Sequence, residues 1–366
     1  MGLVVKTAKV TYIQGVAEAI DKNTIKVNDE TYTCDNLVIA TGSLPIKLGL
    51  PGFAEAREAG FLIDSSQILD LPGLPKKLVI IGGGVIGVEF ANVFIDLDIE
   101  VVIIEGQSSI LATLDKELSK TMTKLLSTRE NLKIVTDAKV LEIKNNNEVI
   151  YEKDGVQASE TGTYCLEAIG RRPVTDGFQN IGLEISQRGA IDVNDNCETN
   201  IKGVYAVGDV FGKSMLAHVA QHAGHVVANQ ILKKDHGTTF KNLANGNTVI
   251  PACIYTHPEI STVGLTEEQL KEKGIEYNSA KFAFAANGKA LADDSGSGFV
   301  KLLSDKKTKK ILGAHLIGHR VTEMIAEICL AMDNDLTVSD VANTIHPHPS
   351  MSEAIGEVAE ELDRKA

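Results

Sequence analysis

Residues 78–89, Leu-Val-Ile-Ile-Gly-Gly-Gly-Val-Ile-Gly-Val-Glu, run an apolar strand into a glycine turn and straight on into a helix. Few local patterns restrict a fold so sharply. Gly82 permits the tight turn, Gly84 lets backbone approach a pyrophosphate, and Gly87 lets helix pack closely on strand. The helix start offers N–H groups and positive partial charge to phosphate oxygens. A second apolar strand, Val101-Val102-Ile103-Ile104, ends on Glu105, about 20 residues after the glycines. An acid there accepts hydrogen bonds from a ribose 2′-hydroxyl and repels a 2′-phosphate. Gly106-Gln107-Ser108-Ser109 supplies no arginine for such a phosphate, so NAD is expected over NADP.

Composition excludes several other classes. The formal net charge of −13 argues against a nucleic-acid partner. The densest basic run, Lys306, Lys307, Lys309 and Lys310, reads as a solvated hairpin turn. No apolar stretch is long and uncharged enough to span a membrane, and the N-terminus has no signal-peptide pattern. Cys34, Cys165, Cys197, Cys253 and Cys329 form no CxxC and no metal-ligand cluster. Such scattered thiols suit a reducing cytoplasm. No metal site is expected.

Along the chain, residues 4–39 read as a β-meander with strands at Val4-Val5, Val10–Ile13, Thr24–Val27 and Asn36–Ile39. Helices are expected from Asp115 to about Leu126 and over 216–231, 266–273, 321–333 and 350–364. The fold class is α/β, with a Rossmann-like dinucleotide unit and, from about residue 247, an α+β pattern that reads as a separate domain.

Five landmarks occur in a telling order. They are Ala40-Thr41-Gly42-Ser43, the Gly82–Glu89 turn, Gly170-Arg171-Arg172-Pro173, Tyr205–Val210 and His346-Pro347-His348-Pro349-Ser350-Met351-Ser352-Glu353. Together they resemble the pyridine nucleotide–disulfide oxidoreductases, and within them the branch that oxidises dihydrolipoamide. The resemblance implies a Rossmann-like NAD domain (76–173) inserted in a partial FAD domain (remnant 1–75 and second segment 174–246), followed by an α+β dimerisation domain (247–366). It implies an NAD site of Gly82, Gly83, Gly84, Val85, Ile86, Gly87, Val88, Glu89, Glu105, Val140 and Gly170. It implies FAD contacts from Thr41, Gly42, Ser43 and Asp209, with Met215, Leu216, Ala217 and His218 beneath the flavin. By position alone, Asp209 also fits a turn or helix-cap aspartate. His348 and Glu353 would be the acid–base pair, with histidine suited to exchanging a thiol proton near neutrality. Ser350 and Glu353 equally fit a capping box, and spacing does not separate the two readings. His346 is the weaker candidate, and His218, His222 and His225 read as a surface or flavin-side stripe.

The implied enzyme is a homodimer that passes electrons from dihydrolipoamide through a redox disulfide and FAD to NAD⁺. Lipoyl-bearing subunits of 2-oxoacid dehydrogenase complexes, such as the pyruvate dehydrogenase complex, would be its partners. The same resemblance implies an N-terminal strand–GxGxxG–helix unit for FAD and a Cys-x4-Cys pair. Neither occurs between Met1 and Ala366, so a truncated form that holds FAD weakly is expected. The alternative is a non-catalytic NAD(H)-binding homodimer acting as scaffold or sensor.

Overall fold

The computed structural model describes residues 2–233, 239–241, 243 and 248–365. The chain forms two compact units, Met1–Leu44 with Arg171–Thr248, and Pro45–Gly170 with Val249–Ala366. The first segment of the larger unit is thus inserted in sequence between the two segments of the smaller one. The expected border at 246/247 lies outside the described residues.

The larger unit is built on a fully parallel five-stranded sheet. Its strands are β1 (Leu62–Ile63), β2 (Lys77–Ile81), β3 (Glu100–Ile104), β4 (Leu132–Val135) and, after three further strands, β8 (Tyr164–Glu167). Their spatial order is β1-β8-β2-β3-β4. Parallel strands covered on both faces need continuous apolar runs, and Leu78-Val79-Ile80-Ile81 and Val101–Ile104 provide them. On one face Leu78, Ile80, Val101 and Ile103 pack with Val88, Ala91 and Ile95 of helix α1 (Val85–Asp96) and Leu118 and Met122 of α2 (Lys116–Leu126). On the other, Val79, Ile81, Val102 and Ile104 meet Phe53, Ala56, Val149 and Tyr151. The last two belong to an antiparallel ribbon of β5 (Ala138–Lys144), β6 (Glu148–Lys153) and β7 (Val156–Thr161).

The second half of this unit is a five-stranded antiparallel sheet of β9 (Ala252–Ile254), β10 (Glu259–Gly264), β11 (Tyr277–Ala283), β12 (Phe299–Asp305) and β13 (Ile311–Gly318). Their spatial order is β9-β10-β13-β12-β11. Helix α3 (Glu267–Glu272) follows β10, opened by a full capping box from Thr266 and Gln269. Helices α4 (Val321–Asp333) and α5 (Glu353–Lys365) cover the sheet, with Ile325, Ile328, Ile355, Val358 and Leu362 in its core. The basic run does form the tip of the β12–β13 hairpin, where Asp305 accepts from the N–H groups of Lys307 and Thr308.

The smaller unit holds an antiparallel three-stranded meander, Ala17–Asp21, Thr24–Val27 and Glu30–Thr33, and a parallel pair, Leu37–Ile39 with Val204–Ala206. Two expected strands are absent. Gly2–Thr7 is a helix, and residues 10–13 have no regular structure. A strand needs a neighbour for its backbone groups, and Val10 and Tyr12 lie exposed with none, at 58% and 74%. A short helix satisfies residues 2–7 internally. Glu30–Thr33 shows the opposite: it is a partnered strand without the apolar alternation that would mark one.

Candidate functional site

The glycine turn leaves the end of β2 at the centre of the parallel sheet. Gly82 has φ +108°, and a Cβ there would lie 2.5 Å from the Ala168 carbonyl oxygen. A Cβ on Gly87 would lie 2.0 Å from the Gly82 carbonyl oxygen, so no side chain fits between helix and turn. Gly84 is different: nothing lies within 4 Å of its Cβ position. Two glycines are therefore demanded by packing, and the third keeps an approach open. Helix α1 starts at Gly84 without a side-chain cap, so its first turn can serve an anion. Val85 and Gly84 are exposed, Ile86 and Glu89 half-buried, and Gly83, Gly87 and Val88 buried.

Glu105 closes the site from β3. Its Oε2 accepts the Gly83 N–H at 2.5 Å and its Oε1 the Gln107 N–H at 2.6 Å. A carboxylate has further lone pairs, so this anchoring orients the acid and still leaves it able to accept from sugar hydroxyls. The Glu105 carbonyl receives the Ala138 N–H, which sets β5 and Val140 beside it. Gly170, at φ +121°, accepts from Ile46 N–H. Glu89 accepts the Tyr255 N–H at 2.8 Å; burial pushes its carboxyl above the ordinary value, against the pull of that bond. The open cradle at Gly84 and the oriented acid fit a dinucleotide.

In the smaller unit, Ser43 donates to Asp209 Oδ2 at 2.5 Å, and Arg171 donates to Ser43 from Nε at 2.7 Å and to its carbonyl from Nη2 at 2.8 Å. Thr41 donates to the Val174 carbonyl, and the Val174 N–H returns a bond to Gly42. Asp209 lies in a single turn, Gly208–Phe211, after the strand Val204–Ala206; it makes no side-chain cap there. The carboxylate's side-chain donor comes from 166 residues away, and Gly42, at φ +71°, has open space at its Cβ position. This polar corner fits a hydroxyl-bearing ligand such as the FAD ribityl chain. Met215, Ala217 and His218 are exposed and Leu216 half-buried, at the start of the helix Ala217–Leu232. The Gly170–Pro173 landmark includes Arg171 but gives it no role, because a side-chain bond across 128 positions leaves no local trace.

The two histidines before α5 are physically distinct. His346 is packed against Gly356 and bonded through Nε2 to Glu327 at 2.9 Å. The His348 side chain is 79% exposed, and its Nδ1 lies 2.8 Å from Glu353 Oε1. Glu353 Oε2 accepts the Ser350 N–H at 2.7 Å. One carboxylate thus accepts the Ser350 N–H and bonds the imidazole, while the Ser350 hydroxyl pairs with Ser352 at 3.0 Å and the helix begins at Glu353, so the reciprocal half of the expected capping box is not made. The Ser350 N–H, then His348, pull Glu353 below the ordinary carboxylate range. Burial raises the thiols of all five cysteines, with Cys197 and Cys329 pushed up to about 12. None is prepared as a nucleophilic thiolate. Among the described residues, no group of three or more His, Cys, Asp or Glu could hold a metal ion, and no helix is long and apolar enough to cross a membrane.

Residues 2–224 match the family model described as pyridine nucleotide-disulphide oxidoreductase. The chain belongs to that family. Residues 250–359 match the pyridine nucleotide-disulphide oxidoreductase dimerisation domain, so homodimerisation belongs to the reading of this chain. The chain is 44% identical over 355 residues to a dihydrolipoyl dehydrogenase of Mycoplasma pneumoniae, covering 97% of this chain and 76% of that relative. It is 36% identical over 364 residues to a dihydrolipoyl dehydrogenase of Bacillus subtilis, covering 97% and 75%. Among solved structures, the HOCl-induced flavoprotein disulfide reductase RclA of Escherichia coli matches with TM-score 0.86 and 28% identity, over 98% of this chain and 81% of that one. The pyridine nucleotide–disulphide oxidoreductases are enzymes that use FAD and NAD, and these relatives favour the catalytic reading over a non-catalytic scaffold.

Proposed function

We propose that the chain acts as an NAD-dependent dihydrolipoyl dehydrogenase, with His348 and Glu353 as its proton-transfer pair and the Gly82–Glu89 turn as its coenzyme site. The observation that carries this reading is the exposed His348 bonded to Glu353 in a chain 44% identical to an enzyme of that name. With Nδ1 tied to a carboxylate, Nε2 is the nitrogen left to take a proton from a substrate thiol, and Glu353 stabilises the imidazolium that results. FAD, when bound, supplies two-electron transfer between a dithiol–disulfide couple and the nicotinamide. Gly84 and the first turn of α1 hold the pyrophosphate of NAD, and Glu105, Val140 and Gly170 bound its adenosine side. Thr41, Gly42, Ser43 and Asp209 hold the flavin's sugar chain, with Met215–His218 beside it. None of the five cysteines serves as the redox pair, in keeping with their raised thiol pKa values.

In this reading the chain works in the cytoplasm, which its five free cysteines support, and its substrate is the lipoyl group carried by subunits of 2-oxoacid dehydrogenase complexes. The test is one preparation and two assays. The purified chain is titrated with NADH and NADPH, then incubated with FAD, NADH and a dye acceptor while NADH oxidation is followed by absorbance. Tighter binding of NADH than NADPH together with FAD-dependent NADH oxidation supports the proposal. NADH binding without turnover favours the non-catalytic dimer, and failure to bind NADH overturns both.

A further inference from the structure

Lys301 is a lysine that a soluble domain would not ordinarily bury. Its side chain is 4% exposed on β12, yet it is 3.1 and 3.0 Å from the two oxygens of Asp115, 2.8 Å from Glu267 and 3.3 Å from Glu117. Burial works against its charge, but bonds to Glu267 and Asp115 hold its pKa at about 12. Replacing a buried ion pair by well-packed apolar residues is often neutral or stabilising. Stability alone therefore accounts poorly for this cluster. What an ion pair adds is a fixed direction.

That direction leads to the coenzyme turn. Asp115, 1% exposed, caps α2 by accepting the Glu117 N–H at 3.0 Å. In the first turn of α2, Ser119 Oγ donates to the Leu111 carbonyl at 2.7 Å, and Leu114 N–H donates to the same oxygen at 3.0 Å. Leu111 is held left-handed at φ +51°, and its N–H donates to the Gly83 carbonyl at 2.8 Å. Ile110 presses on the same glycine, where a Cβ would lie 2.8 Å from its Cγ2. The Gly83 N–H in turn orients Glu105. An unbroken series of bonds runs from the antiparallel sheet to both halves of the dinucleotide site.

We propose that Lys301 is a positioning residue for NAD: by anchoring Asp115 and the start of α2, it holds the Leu111 peptide against the glycine turn. The proposal rests on the coenzyme site assigned above. It places a determinant of coenzyme affinity in the segment that matches the dimerisation domain, on a residue that touches no coenzyme.

The experiment measures NADH affinity by titration calorimetry on the full chain, alongside melting temperature. The variants are Lys301→Met, Lys301→Arg and Asp115→Asn. Asparagine caps a helix as well as aspartate does, so the third variant removes the ionic anchor and keeps the cap. Lys301→Met and Asp115→Asn are expected to bind NADH about tenfold more weakly, and Lys301→Arg to recover most of the affinity. A purely structural lysine would lower the melting temperature and leave affinity below it unchanged. NADH affinities within about twofold of the unaltered chain for both Lys301→Met and Asp115→Asn overturn the proposal. Should Lys301→Met fail to fold, Asp115→Asn decides alone. An unaltered chain that binds no NADH overturns the coenzyme-site reading first, and this proposal with it.

Discussion

The glycine turn of the larger unit and the Ser43–Asp209 corner of the smaller one are the two proposed ligand cradles, and they are held by different forces. Around Gly82 and Gly87 the backbone is clamped by backbone, under a parallel sheet buried on both faces. Around Ser43 the chain is held by side-chain hydrogen bonds from Arg171 and Thr41 and to Asp209, over a pair of three-residue strands. Close packing tolerates almost no added volume, whereas each hydrogen bond contributes only about 1 kcal/mol net. One cradle should therefore fail abruptly when altered and the other by degrees.

Gly87→Ala is the harshest test of that contrast. Its methyl group would meet the Gly82 carbonyl oxygen at 2.0 Å, so backbone must move. Destabilisation of about 3 kcal/mol and loss of NADH binding are expected, checked by denaturant unfolding and calorimetry. Gly84→Ala meets open space and should keep its stability while weakening NADH, because only the ligand would collide with it. Equal stability losses at the two positions would break the comparison.

Glu105→Gln comes next. It removes the charge that receives Gly83 N–H and the coenzyme ribose, so NADH affinity should fall by about tenfold while NADPH changes less. Paired NADH and NADPH titrations give the ratio. If both coenzymes weaken alike, Glu105 is only a brace for the turn.

Acid unfolding reaches the larger unit through its buried charges. Burial pushes Glu267 up, but its bonds to Lys301 and Tyr277 prevail and bring it from 4.5 to about 2. A carboxyl depressed on folding stabilises above its ordinary value, and that contribution is lost as pH falls from about 4.5 through 2. Lys301, raised from 10.5 to about 12, contributes below 10.5 and loses its contribution as pH rises through 12. Unfolding curves across pH should therefore show an acid loss of stability that shrinks in Lys301→Met. An unchanged acid limb would remove this pair from the account.

The smallest effect belongs to the polar corner. Ser43→Ala removes the donor to Asp209 and an acceptor for Arg171, and should cost about 1 kcal/mol in unfolding with NADH affinity unchanged. Added FAD should bind more weakly to this variant than to the unaltered chain. A large drop in NADH affinity would mean that the two cradles are not independent.

Much of the larger unit was legible from residue order. The apolar runs 78–81 and 101–104, the helix opened by Asp115 and the helices of the last third all formed close to where periodicity placed them. The first sixteen residues were not legible. Val4-Val5 has strand composition, yet without a neighbouring strand the chain there is helical. Glu30–Thr33 lacks an apolar pattern, yet its neighbour makes it a strand. Edge pairing is decided by who lies alongside, and composition carries little of that.

The order of residues alone determined the glycine turn, the acid after it and the His348–Glu353 spacing, because each depends on short spacings along one strand–turn–helix–strand stretch or one helix start. Only the tertiary structure decided that His346 is packed away while His348 is exposed, that Arg171 serves Ser43, and that Lys301 reaches Asp115 across 186 residues. Local spacing sets what a backbone segment can do by itself. Burial and long-range hydrogen bonds depend on which distant segments the fold brings together, and that information is spread over the whole chain.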